Sequence, residues 1–424
     1  MPPEVASIEP VSGPLDATVV PPGSKSITNR ALVAAALAGG RSTLHGALVA
    51  DDTEAMVDCL RRLGIAIATT GTTMVVDGAG GRIPVATAAL DVRQSGTTAR
   101  FVAPVAALGH GRYTLDGAPR MRERPMADLV GALRALGATV SGDRLPFTIT
   151  ATGLAGGRAV VAADASSQFA SGLLLTAPAM AEGLQLRLRS APVSRPYLAL
   201  TVEVMRAFDA HVVAGRESFT VAPGGYRPTT FTIEPDASAA SYFFAAAAIC
   251  GGTVRVPGLG RRSNQGDLAF VDLLARMGAT VEQTDDTTTV TGAAPLHGIE
   301  ADMADLSDTA STLAVVAAFA STPTRVTGIG FVRAKESDRV GGVVRELQRL
   351  GVDADEEADG FVVRPGAFRP ARVHTYDDHR MAMSFALVGL RIPGVEIEDP
   401  ACVAKTFPDF FSTLAGLTVR SDSR

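Results

Sequence analysis

The chain has 424 residues, 46% hydrophobic and 20% charged, with 39 Lys plus Arg against 44 Asp plus Glu. That length is too great for one ordinary core and suggests two domains of about 200 residues. The net charge of -5 excludes a broad basic surface for nucleic acid, and no apolar run approaches the ~20 residues of a membrane span. The acidic, proline-rich start MPPEVASIEP lacks the basic leader of a signal peptide, so a cytoplasmic protein is expected.

Residues 1–20 read as a strand, VASIEP, followed by a linker. In PPGSKSITNR, which comes next, two prolines give an extended lead-in and Gly23 permits a close approach. Ser24, Ser26 and Thr28 stand just ahead of the apolar run ALVAAALAGG, the pattern of a helix N-terminus. Unpaired N–H groups and the positive dipole end, with Lys25 and Arg30 beside them, make this turn a candidate anion site. A capped helix with two solvated cations fits the stretch equally well when it is taken alone.

Polar residues ahead of apolar helical runs recur at Gly96 (QSGTTARF), Ser167 (SSQFASGLLL), Ser238 (DASAASYFF), Asp308 (SDTASTLAVV) and Asp378 (YDDHRMAMSF), about 70 residues apart each time. A second helix stop recurs in step at Gly64, Gly137, Asp209, Gly278, Gly351 and Gly416. The chain therefore reads as six copies of one unit, each with two helices and several strands. An α/β class follows, with the apolar helices inside and strands such as those in 41–50 and 73–81 outside. The N-terminal strand is expected to complete the sixth unit, which gives domains 21–232 and 1–20 plus 233–424. Two chain crossings then form a hinge, and six helix N-termini are expected to aim at one volume.

Only Lys25, Lys335 and Lys405 are lysines; every other cation is arginine. A chain that favours arginine so strongly should keep lysine where a compact, titratable ammonium is needed. With Arg124, Arg339 and Arg380 these lysines supply a local cationic site, each contact worth about 4 kcal/mol before desolvation at roughly 4 Å and an effective dielectric near 20. Asp308 and Glu336 are the carboxylates set among these cations, either as ion-pair partners or as an acid–base pair. His374, Asp377, Asp378 and His379 lack a tight ligand spacing and adjoin Arg380, so no metal is expected. Cys59, Cys250 and Cys402 read as reduced residues in or beside the core.

The strings PPGSKSITNRAL, SGTTARF, GAPRMRERP, SSQFASGLLL, DASAASYFFAAAAI, KESDR, YDDHRMAM and DPACVAKTFPDFF closely resemble the 5-enolpyruvylshikimate-3-phosphate (EPSP) synthase family of the shikimate pathway, from about residue 7 to 415. The resemblance implies a two-domain inside-out α/β barrel built from six βαβαββ repeats, three per domain. It also implies transfer of enolpyruvyl from phosphoenolpyruvate to shikimate 3-phosphate with no cofactor, by a monomer that glyphosate inhibits.

Carried over by position, the resemblance places shikimate 3-phosphate against Lys25, Ser26, Arg30, Ser166, Ser167, Gln168, Ser194, Tyr197, Asp308 and Lys335. It places phosphoenolpyruvate against Lys25, Gly96, Arg124, Gln168, Arg339, Arg380 and Lys405, with His379 a further candidate. Asp308 is the implied base toward the 5-hydroxyl and Glu336 the implied acid toward the methylene, with Lys25 beside them. This chain departs from the family at Phe331, where Asn is frequent, and at Phe101, where Pro is common. The related transferase acting on UDP-N-acetylglucosamine favours Asn at the position of Ser26 and a Cys in the loop that here reads DGAPRMRERP. A binding module for phosphate ligands would not need Asp308 and Glu336.

Overall fold

The computed structural model describes residues 4–292 and 295–417. It divides into two compact units, one Gly23–Glu234 and the other comprising the chain up to Pro22 and from Pro235 onward. The Ser24 N–H donates to the Glu234 carbonyl at 2.9 Å within the first unit, and the Asp236 N–H donates to the Pro22 carbonyl at 2.9 Å within the second. These bonds set the points at which the chain changes unit. Gly23 is required there, because a Cβ would lie 1.8 Å from the Gly46 carbonyl oxygen.

In the unit Gly23–Glu234, helices Lys25–Leu37, Gly96–Ala107 and Gln168–Thr176 pack against one another. Nearly every residue in them is buried, as runs such as ALVAAAL require when no helix face is polar. Small residues let the backbones approach: a Cβ on Gly172 would lie 2.2 Å from the Arg100 carbonyl oxygen, so this glycine sets the spacing between two of the helices. The other unit repeats the arrangement with helices Ala237–Cys250, Ala310–Ala318 and His379–Gly389.

Sheets flank these helices. Among the described residues, five four-stranded sheets share one order, a parallel pair followed by two antiparallel strands; strands Thr87–Asp91, His110–Asp116, Phe147–Thr152 and Thr139–Val140 are an example. Alternate residues point inward, as in Leu184–Leu188, where every second residue is buried. The sixth sheet has three described strands, with Val5–Ser7 antiparallel to Glu396–Glu398 and Arg372–Val373 parallel to it. The chain is thus a mixed α/β protein, and no described helix is long and apolar enough to cross a membrane.

The segment expected as a linker after VASIEP contains a second strand, Leu15–Thr18, parallel to Gly252–Pro257. Its four residues, Leu-Asp-Ala-Thr, alternate, but a run this short carries too little period to be read as a strand, and pairing with a distant partner makes it one. Of the helix stops, Gly64, Gly137, Asp209, Gly278 and Gly351 have φ between 66° and 111°, the left-handed stop that ends a helix. Gly416 instead lies within helix Phe410–Gly416.

Candidate active site

In the unit Gly23–Glu234, Lys25 and Ser26 begin the first central helix. Ser24 occupies its N-cap but makes no side-chain cap bond, and its buried hydroxyl has no partner among the described residues. The sequence marked Gly96 as a cap, whereas Ser95 caps that helix by accepting from the Thr98 N–H at 3.1 Å. Ser95 also donates to Asp52 at 2.7 Å, and Asn29 donates to the same carboxylate oxygen at 3.2 Å. Asp52, buried in the first turn of Asp51–Arg62, therefore ties two central helices together. Sequence reasoning missed it because DDTEAM reads as an ordinary acidic first turn.

Arg30 is 2% exposed, and its guanidinium donates to Thr201 Oγ1 at 2.8 Å and to the carbonyls of Ser26 at 2.8 Å and Tyr197 at 3.1 Å. It lies 5.3 Å from the centre of the Phe101 ring and 5.7 Å from that of Tyr197. Burial pushes its pKa down to about 10, with only the Tyr197 hydroxyl opposing. Phe101 has a place here, since it stacks beneath Arg30 inside a regular helix. The contacts of Arg30 are neutral groups, so an anion reaching it would add its first full counter-charge.

Gly96 lies under two guanidinium groups. A Cβ there would come within 2.3 Å of Arg100 and 2.7 Å of Arg124. Arg100, which the sequence reading did not single out, is 2% exposed, donates to the Pro125 carbonyl at 3.1 Å and lies 5.5 Å from the centre of the Phe169 ring. Its signal was the buried arginine in SGTTAR, on the face that an all-apolar helix would leave to alanine. Gln168 donates to Thr97 at 3.0 Å, joining the second and third helix starts. The Ser166 hydroxyl accepts from the Gln168 N–H at 3.3 Å, and the Ser167 hydroxyl donates to the Ser194 carbonyl at 3.4 Å. Ser194 holds a left-handed φ of 50°, which turns the chain so that Tyr197 follows in the first turn of Pro196–Ala207.

The other unit gathers its candidates into one ion-pair network. Asp308 meets Lys335 at 2.8 Å, Arg339 at 3.2 Å and Arg380 at 2.8 Å. Glu336 meets Arg339 at 2.8 Å and Lys405 at 3.0 Å. Arg339 also donates to Asp378 at 2.8 Å, and Asp378 in turn caps the helix of Arg380 by accepting from its N–H at 3.0 Å. Those three carboxylates hold the Arg339 guanidinium above its usual range despite burial. His379 is fully buried beside Arg380 and Lys405; burial first, then these cations, push its pKa well below the ordinary histidine value, so it is neutral. Asp378 belongs to this network, whereas both ring nitrogens of His379 are buried without a hydrogen-bond partner among the described residues, Nδ1 lying 3.6 Å from Asp378. His374 pairs with Glu398.

Ser238 was expected to cap the first helix of this unit, but Asp236 does so, accepting from the Ala239 N–H at 2.9 Å. Ser238 lies inside the helix and donates to Asp267, a buried acid that the sequence reading passed over. Burial first, then the charge of Asp308, pushes the Asp267 pKa up to about 6.

Fold and site together define a mixed α/β protein in which largely buried carboxylates are interleaved with lysine and arginine in one ion-pair network. A family profile described as EPSP synthase (3-phosphoshikimate 1-carboxyvinyltransferase) matches residues 10–414. A 3-phosphoshikimate 1-carboxyvinyltransferase from Nostoc punctiforme is 45% identical over 417 residues, covering 96% of this chain and 98% of its own length. One from Methanosphaerula palustris is 44% identical over 410 residues, covering 95% and 97%. An EPSP synthase structure from Acinetobacter baumannii matches with a TM-score of 0.82 at 26% identity, covering 97% of this chain and 98% of that one. The chain belongs to the EPSP synthase family.

Proposed function

We propose that the protein transfers the enolpyruvyl group of phosphoenolpyruvate to the 5-hydroxyl of shikimate 3-phosphate and releases phosphate. The observation that carries this reading is the pair Asp308 and Glu336, two carboxylates among Lys335, Arg339, Arg380 and Lys405. Addition across the double bond needs one group to accept a proton from oxygen and another to give one to carbon.

Glu336, a carboxylate paired with Arg339 and Lys405, first takes a proton from solvent; the 5-hydroxyl oxygen then bonds to C2 of phosphoenolpyruvate while Asp308 takes its proton and Glu336 protonates C3. The tetrahedral adduct then loses phosphate by C–O cleavage, and a proton from the new methyl returns to Glu336 as the double bond re-forms. The proton on Asp308 leaves with the phosphate. Three cations on Asp308 stabilise its ionised form and weaken it as a base. Substrate anions that draw those cations away restore its basicity at the moment of use.

Shikimate 3-phosphate is assigned to Lys25, Ser26, Arg30, Ser166, Ser167, Gln168, Ser194, Tyr197, Asp308 and Lys335, and phosphoenolpyruvate to Lys25, Gly96, Arg124, Gln168, Arg339, Arg380 and Lys405. His379, neutral and buried, supports the second set. The architecture we infer is the inside-out α/β barrel of six βαβαββ repeats, three in each of domains 21–232 and 1–20 plus 233–424; the common strand order of five sheets supports it. We place the protein in the cytoplasm as a monomer and expect glyphosate to compete with phosphoenolpyruvate. Phosphate release with shikimate 3-phosphate as acceptor tests the reading. Release with UDP-N-acetylglucosamine in its place, or with neither, would overturn it.

A further inference from the structure

Phe331 occupies the first turn of the 3-10 helix Gly330–Ala334, and Lys335 is the residue that ends it. The Lys335 N–H donates to the Val332 carbonyl at 3.2 Å, which folds the lysine back over the turn that carries the ring. Its ammonium lies 5.6 Å from the centre of the Phe331 ring and 2.8 Å from Asp308. The ring itself is half-buried against the apolar core of its unit, so its face is fixed, whereas the lysine stem has four rotatable bonds.

We propose that Phe331 is a positioning residue for this reaction: its ring face holds the Lys335 ammonium beside Asp308, ready for the anionic substrate. The inference rests on the proposed function for the role of Lys335 toward shikimate 3-phosphate, but the ring–ammonium contact stands without it. An aromatic face attracts a partly desolvated cation through its quadrupole, which an aliphatic side chain of similar size cannot do.

The charged groups facing Lys335 are Asp308 from the turn Ser307–Thr309, its neighbour Glu336, and Arg339 from helix Arg339–Arg349. Burial and Arg339 disfavour the ammonium, whereas Asp308 and Glu336 favour it, and burial prevails, so the Lys335 pKa lies below the ordinary lysine value. The ring adds to the groups that keep it charged. It also offers a resting place for the cation when Asp308 takes up a proton.

The composition makes a direct test practical, because Lys25, Lys335 and Lys405 are the only lysines in the sequence. Lysine labelled with carbon-13 at the ε position gives three resonances in the whole chain, assigned with Lys25→Arg and Lys405→Arg. In the wild type the Lys335 ε-protons should carry an upfield ring shift. Phe331→Leu should abolish that shift, lower the Lys335 titration midpoint and raise the KM for shikimate 3-phosphate between about two- and thirty-fold. The KM for phosphoenolpyruvate should stay the same. Phe331→Tyr, which keeps the ring face, should retain the wild-type shift, midpoint and KM.

An unchanged Lys335 resonance in Phe331→Leu would overturn the proposal. So would equal losses in Phe331→Leu and Phe331→Tyr, since packing rather than the ring face would then be responsible. A wild type inactive on shikimate 3-phosphate but showing the ring shift would contradict the proposed function and leave the contact established.

Discussion

Arg30 and Arg339 are both buried guanidinium groups on or near the start of a helix, one in each unit, and their surroundings are opposite. Arg30 is held by Thr201, two carbonyls and two aromatic rings, and burial pushes it down to about 10. Arg339 is held by Asp308, Glu336 and Asp378 and is pushed above its usual range. The same side chain at similar depth therefore does different work. Arg30 keeps its charge among neutral partners, whereas Arg339 orders three carboxylates, two of which the proposed function uses to exchange protons. The second arrangement is the more fragile, because deleting one member leaves a buried charge uncompensated.

The largest expected effect tests that fragility. Asp378→Asn should cost about 3–5 kcal/mol in denaturant unfolding, since Asp378 is fully buried and both anchors Arg339 and caps the helix of Arg380. Thr201→Val, which removes a neutral partner of Arg30, should cost only about 1 kcal/mol. Equal costs would erase the distinction between the two units.

Next in size is the chemistry assigned to the carboxylates. Asp308→Asn and Glu336→Gln should each lower turnover by about 10² or more while calorimetry still finds substrate binding. A variant with normal turnover would return its residue to the role of an ion-pair partner.

A smaller effect is expected in the other unit. The methyl of Gly96→Ala would strike Arg100 and Arg124, both flexible at their ends, so they should shift rather than unfold the helix. Steady-state kinetics should show a raised KM for phosphoenolpyruvate and a larger rise in the glyphosate inhibition constant, because the longer molecule reaches the added carbon. Inhibition unchanged in this variant would remove Gly96 from the pocket.

The smallest effect is a pH slope in the network unit. The folded-state pKa of Asp267 is raised to about 6, above the ordinary value of about 4, so its contribution is fully present below about pH 4 and is lost as pH rises through about 6. Stability of the wild type should therefore fall across that window, and Asp267→Asn should flatten the fall in thermal unfolding measured at several pH values.

The central helices and their spacing were legible because all-apolar runs with polar starts leave a period in the sequence. The exact caps were not: Ser95 and Asp236 cap helices that the sequence assigned to Gly96 and Ser238, since any of several adjacent polar residues satisfies the pattern. Strand Leu15–Thr18 was missed because a parallel pairing with Gly252–Pro257 is invisible locally. The site residues were legible as residue types, but their partners were not. Glu336 and Arg339 stand three residues apart in KESDR, but nothing there says that Asp308 and Asp378 join them, nor that Asp52 ties two helix starts together. Those further contacts depend on three-dimensional packing of elements far apart in sequence.

The central claim is that a carboxylate in this network gives a proton to carbon and later takes one back. The direct measurement is deuterium incorporation into the phosphoenolpyruvate methylene during turnover with shikimate 3-phosphate in heavy water, followed by NMR. The account predicts deuterium in recovered phosphoenolpyruvate and in product with the wild type, and its loss in Glu336→Gln, which removes the carboxyl that pairs with both Arg339 and Lys405. Incorporation at the wild-type rate in Glu336→Gln would contradict the account.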